Sequence, residues 1–249
     1  MPRKSGEDES PSLNAEQIQV LLPSKLEETR APLPIPVLSS RAVAIHPSEN
    51  RVWTGRAMFE FSTGRVLAEV KDRDGMTDCF LPVWVGAQRV AEIVFGGPLM
   101  ADSSEGAGEL LQIALWDAES GTLLARSRAP QAQWLCSSPD GLHIAEAGGD
   151  KRVRIRNGRT LEVEREFRAH EDSVRAIAWH PSLPLLATAA KDGLIRIWDL
   201  NHLRKLEELN LDQSTEVLRL SIPPNGLELV ETQNKKIRVY LPESFRSEK

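Results

Sequence analysis

The fold is decided by the stretch SVRAIAWHPSLPLLATAAKDGLIRIWDLNHLRKLEEL, residues 173–209. It holds four short runs, VRAIAW, LLATAA, LIRIWDL and KLEEL, with turn residues between them. Ile195 and Ile197 alternate with Arg196, the two-residue period of a β-strand. The HPSL turn carries Pro181, and Asp192-Gly193 supplies the next reversal. No run with a 3.6-residue period interrupts the pattern, so the stretch reads as a four-stranded antiparallel meander.

The pattern repeats. DKRVRIR (150–156), DGLIRIW (192–198) and NKKIRVY (234–240) lie 42 residues apart, with Arg154, Arg196 and Arg238 in one position. A Pro-containing turn precedes each: SPDG with Pro139, HPSL with Pro181 and PPNG with Pro224. An earlier turn, HPSE with Pro47, lies two periods and a few residues upstream of Pro139. Four antiparallel strands every ~40–45 residues is the arithmetic of a propeller blade. The expected fold class is all-β, a β-propeller of about five four-stranded blades.

Within this frame RAHEDSVRAIAWHPSLPLLATAAKDGLIRIWDL resembles a WD-repeat unit ending in Trp198-Asp199. The resemblance implies a structural tetrad of His170, Thr188, Asp192 and Trp198. Each member has a physical reason. The Trp fills the gap between blades while its N–H reaches the Thr hydroxyl, and the imidazole links that hydroxyl to the turn carboxylate.

The other units depart from this pattern. WDAESG (116–121) keeps the Trp-Asp pair without the His. In the unit at 131–168, Asp150 keeps the turn position, Glu146 replaces the Thr and Arg156 replaces the Trp. Opposite charges at two touching positions imply an ion pair. The last unit has Asn234 and Tyr240 in the Asp and Trp positions, and the first has Thr54 and Phe61. Marked by the Trp position, the units fall at Phe61, Trp116, Arg156, Trp198 and Tyr240.

The widest interval contains an insertion, GGPLMADSSEGAGEL, between the second and third strands of the second unit. In a meander, second–third and fourth–first connections emerge on one face, so the insertion shares a face with His170 and Asp192. Residues 90–125 hold six carboxylates and no Lys or Arg, whereas 151–168 hold Lys151 and six Arg against three Glu. An acidic sector beside a basic one suits either a docking surface or ordinary solvated strands.

Residues 1–37 do not repeat and are expected to form a polar, disordered arm followed by the Pro-rich linker APLPIP; the propeller occupies 38–249. Because the last unit stops after its third strand, QIQVLL, near residues 18–22, is the one candidate for a closing strand. The alternative is an incomplete part of a larger propeller, with open sheet edges that invite self-association.

Composition narrows the chemistry. The formal charge of −5 argues against a nucleic-acid partner, and KRVRIRNGR lacks the interleaved aromatics that stack bases. No apolar run approaches the ~18 residues of a membrane span, and no signal-peptide core is visible, so a cytoplasmic location without membrane contact is expected. Cys79 and Cys136 are isolated packing residues. No P-loop, nucleophile elbow, zinc motif or complete dinucleotide fingerprint occurs, so no cofactor, metal site or catalytic residue is expected and the chain is read as not an enzyme. His46-Pro47 and His180-Pro181 fill one turn position on different blades and are read as structural.

The leading expectation is a noncatalytic scaffold whose partners are other proteins. Contacts carried over from top-face usage in the resembling family are Glu171, Asp172, Arg175 and Lys191, with insertion residues Asp102 and Glu105. Two alternatives remain open at this point. One is a small-molecule-binding or hydrolytic propeller with channel carboxylates; the other is a fragment that completes a propeller with another chain.

Overall fold

A computed structural model describes residues 43–71, 76–96, 111–210, 219–226, 228–233 and 236–245. The N-terminal arm with its QIQVLL segment, and insertion residues 97–110, lie outside them. The described residues form five antiparallel sheets and no α-helix. The first blade holds β1 (Ala44–Ile45), β2 (Arg51–Trp53), β3 (Ala57–Glu60) and β4 (Val66–Glu69). The second holds β5 (Met76–Val85), β6 (Arg89–Gly96), β7 (Leu111–Asp117) and β8 (Leu123–Arg128). The third comprises β9 (Ala132–Ser137), β10 (His143–Gly148), β11 (Arg152–Asn157) and β12 (Val163–Arg168). The fourth comprises β13 (Val174–Trp179), β14 (Leu185–Ala190), β15 (Leu194–Asp199) and β16 (Arg204–Asn210). The fifth has three strands, β17 (Arg219–Ser221), β18 (Leu229–Gln233) and β19 (Lys236–Tyr240), followed by a 3-10 turn at Glu243–Phe245.

Each sheet is a meander in sequence order, as short turns between antiparallel strands require. The apolar cores lie between sheets rather than within them. Ala145, Val153, Ile155, Ile177, Leu186 and Trp198 form the one shared by blades three and four. Ala176, Ala187, Ile195, Ile197, Leu220 and Leu229 form the next. A middle strand is therefore covered on both faces, which explains why β14 is all small or apolar with one Thr and is buried throughout. Outer strands such as β12 and β16 face water and carry the charge. Inner strands of successive blades pack together, β1 on β5, β5 on β9, β9 on β13 and β13 on β17. No packing of that extent joins the first and fifth blades among the described residues.

A register shift recurs where the third strand meets the fourth, at Leu115/Trp116, Ile155/Arg156 and Ile197/Trp198. In the first blade it falls at Met58/Phe59. Val52 faces Phe59 as Leu186 faces Trp198, so Phe59 holds the Trp position and Phe61 does not. Phe59 is 2% exposed, whereas Phe61 lies in the following turn at 50%. A shift of two residues keeps the strand face, so alternation alone does not separate the two.

Candidate functional site

On the fourth blade the turn after β14 and the loop between β12 and β13 are tied by side chains. Trp198 Nε1 donates to Thr188 Oγ1 at 2.9 Å, and Thr188 Oγ1 lies 2.7 Å from His170 Nε2. His170 Nδ1 lies 3.0 Å from Asp192 Oδ2. One direction satisfies every group: indole N–H to hydroxyl, hydroxyl O–H to Nε2, and Nδ1–H to carboxylate. That assignment makes His170 neutral. Burial lowers its pKa below the ordinary histidine value, against the pull of Asp192 in the other direction. Asp192 Oδ2 also accepts the Glu171 N–H at 3.0 Å, so the loop entering β13 hangs on the same carboxylate.

The third blade fills these positions with charge. Arg156 Nε donates to Glu146 Oε2 at 2.5 Å. Its remaining N–H groups reach the Leu161 carbonyl at 2.7 Å, Ser127 Oγ at 2.9 Å and the Arg128 carbonyl at 3.3 Å. The ion pair expected from the sequence is thus made, and the same guanidinium clips the third blade to the outer strand of the second. In the second blade the position of Thr188 is held by Glu92, which accepts the Trp53 indole N–H of the first blade at 3.1 Å.

A second repeated group sits one step outward. Arg196 pairs with Glu208 at 2.8 Å and Asp192 at 3.8 Å and donates to the Ala169 carbonyl at 2.7 Å. One period earlier, Arg154 pairs with Glu166 at 2.7 Å, with Glu146 at 3.6 Å and with Asp150. Arg152 also pairs with Glu166, at 2.7 Å. Much of the positive charge of 151–168 is therefore neutralised on its own sheet.

Four of the candidate contact residues come together. Lys191 N donates to the Ser173 carbonyl, and Ala169 and His170 both donate to the Lys151 carbonyl. The turns of blades three and four therefore flank the loop that carries Glu171 and Asp172. Glu171 is spoken for by Arg168 at 2.6 Å. Asp172 accepts the Ser173 N–H at 2.6 Å. That bond, with Lys151 and Lys191 nearby, holds its carboxyl below the usual range. Arg175 is the extra residue of a bulge between Val174 and Ala176, and its buried Nε meets no acceptor among the described residues. Lys151, Arg175 and Lys191 have no ion-pair partner among the described residues. Lys151, which the sequence offered only as part of a basic sector, stands beside the turn residue Asp150 and joins these candidate contacts here. Asp102 and Glu105 lie outside the described residues.

The remaining motifs read as structure. His46 Nδ1 accepts N–H groups from Ser48 at 3.3 Å and Glu49 at 2.9 Å. His180 Nδ1 does the same for Ser182 at 3.2 Å and Leu183 at 2.9 Å. They occupy blades one and four. His180 Nε2–H donates to the Gly226 carbonyl of the fifth blade at 2.9 Å. Gly226 has φ +67°, and a Cβ there would stand 2.7 Å from the imidazole, so only glycine allows this approach. Of the inner strands, β1, β9, β13 and β17 contain no Asp or Glu, and β5 carries Asp78. Among the described residues no group of three or more His, Cys, Asp or Glu side chains is placed to hold a metal. Cys79 and Cys136 are not joined by a disulfide.

Five antiparallel sheets in sequence order, packed face to face through inner strands, are the blades of a β-propeller. The model of the family "WD domain, G-beta repeat" matches residues 161–199, the stretch that ends the third blade and contains the His-Thr-Asp-Trp network. Among curated relatives, Periodic tryptophan protein 2 homolog of Caenorhabditis elegans is 25% identical over 55% of this chain and 15% of its own length. Target of rapamycin complex subunit wat1 of Schizosaccharomyces pombe is 32% identical over 51% of this chain. That match spans 41% of the relative, so the chain covers less than half of either protein. A crystal structure of the computationally designed Ika8 protein superimposes with a TM-score of 0.56 over 80% of this chain and 57% of that one, at 17% identity, a likeness of fold alone.

Proposed function

We propose that the chain is a noncatalytic protein-interaction scaffold, and that the face carrying Lys151, Asp172, Arg175 and Lys191 receives a protein partner. The observation that carries this reading is charge left uncompensated on a fixed frame. Around this loop Arg154, Arg168 and Arg196 are paired and the imidazole is neutral, yet Lys151, Arg175 and Lys191 have no ion-pair partner among the described residues, and Asp172 is the carboxylate near the two lysines. The frame is held by buried hydrogen bonds, so presenting these charges costs little ordering on binding. A relative named as a complex subunit supports the same reading. Cys79 and Cys136, left unjoined by a disulfide, fit the cytoplasmic setting proposed for the chain.

The test is quantitative affinity capture with the Lys151→Glu/Arg175→Gln/Lys191→Glu variant against wild type at two salt concentrations. Partners that depend on this face are expected to be lost on substitution and weakened by salt while the melting temperature holds. An unchanged partner set would place the interaction elsewhere.

A second reading is favoured by the fifth blade. Val239 occupies the position at which Ile197 is wholly buried on the fourth blade, yet it is 43% exposed. A further sheet supplied by another chain would cover it. Light scattering decides this: a concentration-dependent dimer supports docking between copies, and a monomer at all concentrations counts against it.

A further inference from the structure

The face opposite the His170 loop carries a cleft of about 300 Å³ between blades two and three. Arg89, at the start of β6, and Arg159, in the turn between β11 and β12, both line it. Two like charges facing one space repel. Burial and the nearby Arg159 guanidinium lower the pKa of Arg89 from the ordinary arginine value. A structural arginine in such a position normally has a carboxylate. Asp117 stands directly across the sheet from Arg89. Its Oδ1 is instead committed to its own turn, accepting Ser120 N–H at 2.8 Å and Ser120 O–H at 2.6 Å. Neither arginine has an ion-pair partner among the described residues, and the Arg89 side chain reaches only the Gly141 carbonyl, at the long distance of 3.5 Å.

We propose that this cleft is a second binding site, in which the Arg89 and Arg159 guanidiniums take one carboxylate from an acidic peptide segment of a protein partner. Planar guanidiniums match a carboxylate through paired N–H donors. Two arginines and Asp117 leave one net positive charge, which suits a single carboxylate better than a doubly charged phosphate. Leu124, half-exposed at 50%, and Ala87 line the same cleft and give an apolar seat for the residue beside the acid. The site lies on the other face from the one proposed above, so either can fail without the other.

The probe is the capped peptide Gly-Leu-Glu-Leu-Gly, titrated while the arginine Nε–H signals are followed by NMR. Its Gln counterpart and inorganic phosphate serve as separate arms. Saturable shifts at Arg89 and Arg159 are expected. Affinity should fall about fivefold to tenfold in Arg159→Gln, in Arg89→Gln, and with the Gln peptide, as loss of one charge-assisted contact implies. Phosphate binding as tightly as the peptide would overturn the peptide assignment in favour of a free oxyanion. Unmoved arginine signals, or equal binding of the Gln peptide, would overturn the site. Arg159→Gln is expected to hold or raise the melting temperature by relieving the repulsion; a clear fall would make Arg159 structural and also count against the proposal.

Discussion

Blades three and four pose one packing problem 42 residues apart and solve it in two ways. At the gap to the preceding blade, the fourth buries a neutral relay of Trp198, Thr188, His170 and Asp192. The third buries an Arg156–Glu146 ion pair that also takes two neighbouring carbonyls and a hydroxyl. The position thus demands a flat group that fills the gap and a polar partner for its N–H. Whether that N–H belongs to an indole or a guanidinium is secondary. The difference lies in what happens when a partner is lost. A neutral relay exposes dipoles, whereas the ionic version exposes a charge.

The largest effect should come from breaking the ionic version on one side. Glu146→Ala leaves Arg156, 4% exposed, without its counter-charge and is expected to cost about 3–5 kcal/mol in urea unfolding. Glu146→Thr/Arg156→Trp rewrites the third blade in the manner of the fourth and should cost less than Glu146→Ala alone. Equal losses would count against the ion pair as the source of the cost. Next comes Thr188→Val, nearly isosteric, which leaves His170 Nε2 and Trp198 Nε1 buried without partners. It should cost about 1–3 kcal/mol and leave the far-UV spectrum unchanged.

The relay also makes the fourth blade sensitive to pH. Burial lowers the His170 and His180 pKa values in the folded state, so the unfolded chain binds more protons below about 6.5. Their stabilisation is fully present above that pH and is lost as pH falls toward the folded-state values. Melting temperature should therefore drop between pH 7 and 5, and His170→Gln should flatten part of that slope. A wild-type profile flat over this range would show that the imidazole is not held neutral. The smallest effect belongs to the surface: Lys191→Glu should change stability by no more than about 0.5 kcal/mol, because no ion pair is lost.

The regular part of this architecture was legible in the sequence because it is periodic. The 42-residue step and the strand order follow from turn chemistry and alternation, while the residues of the relay were implied by the resemblance of one unit to a WD repeat. The Glu146–Arg156 pairing was legible too, once the two positions were known to touch. Phe59 escaped because a shift of two residues preserves the face of the strand, and only the recurrent bulge locates the right one. Trp53 with Glu92, and Arg89 with Arg159, escaped for another reason. Their members come from different blades, and one unit's period says nothing about which side chains meet across the gap. Of the expected contact residues, those beside turns were placed by the repeat, while Arg175 needed the bulge in β13 to show how it departs from its neighbours.

The placement of the cores between sheets has a consequence for cooperativity. A blade that shares its apolar face with both neighbours cannot unfold without uncovering theirs, so stability is coupled from neighbour to neighbour along the chain. Amide exchange should reflect this as a gradient, slowest in β14, whose residues are covered on both sides, and faster toward the first and fifth sheets. Local opening would then begin at the ends and stop at the fourth blade, so the loop held by Asp192 would be among the last parts of the surface to lose its shape.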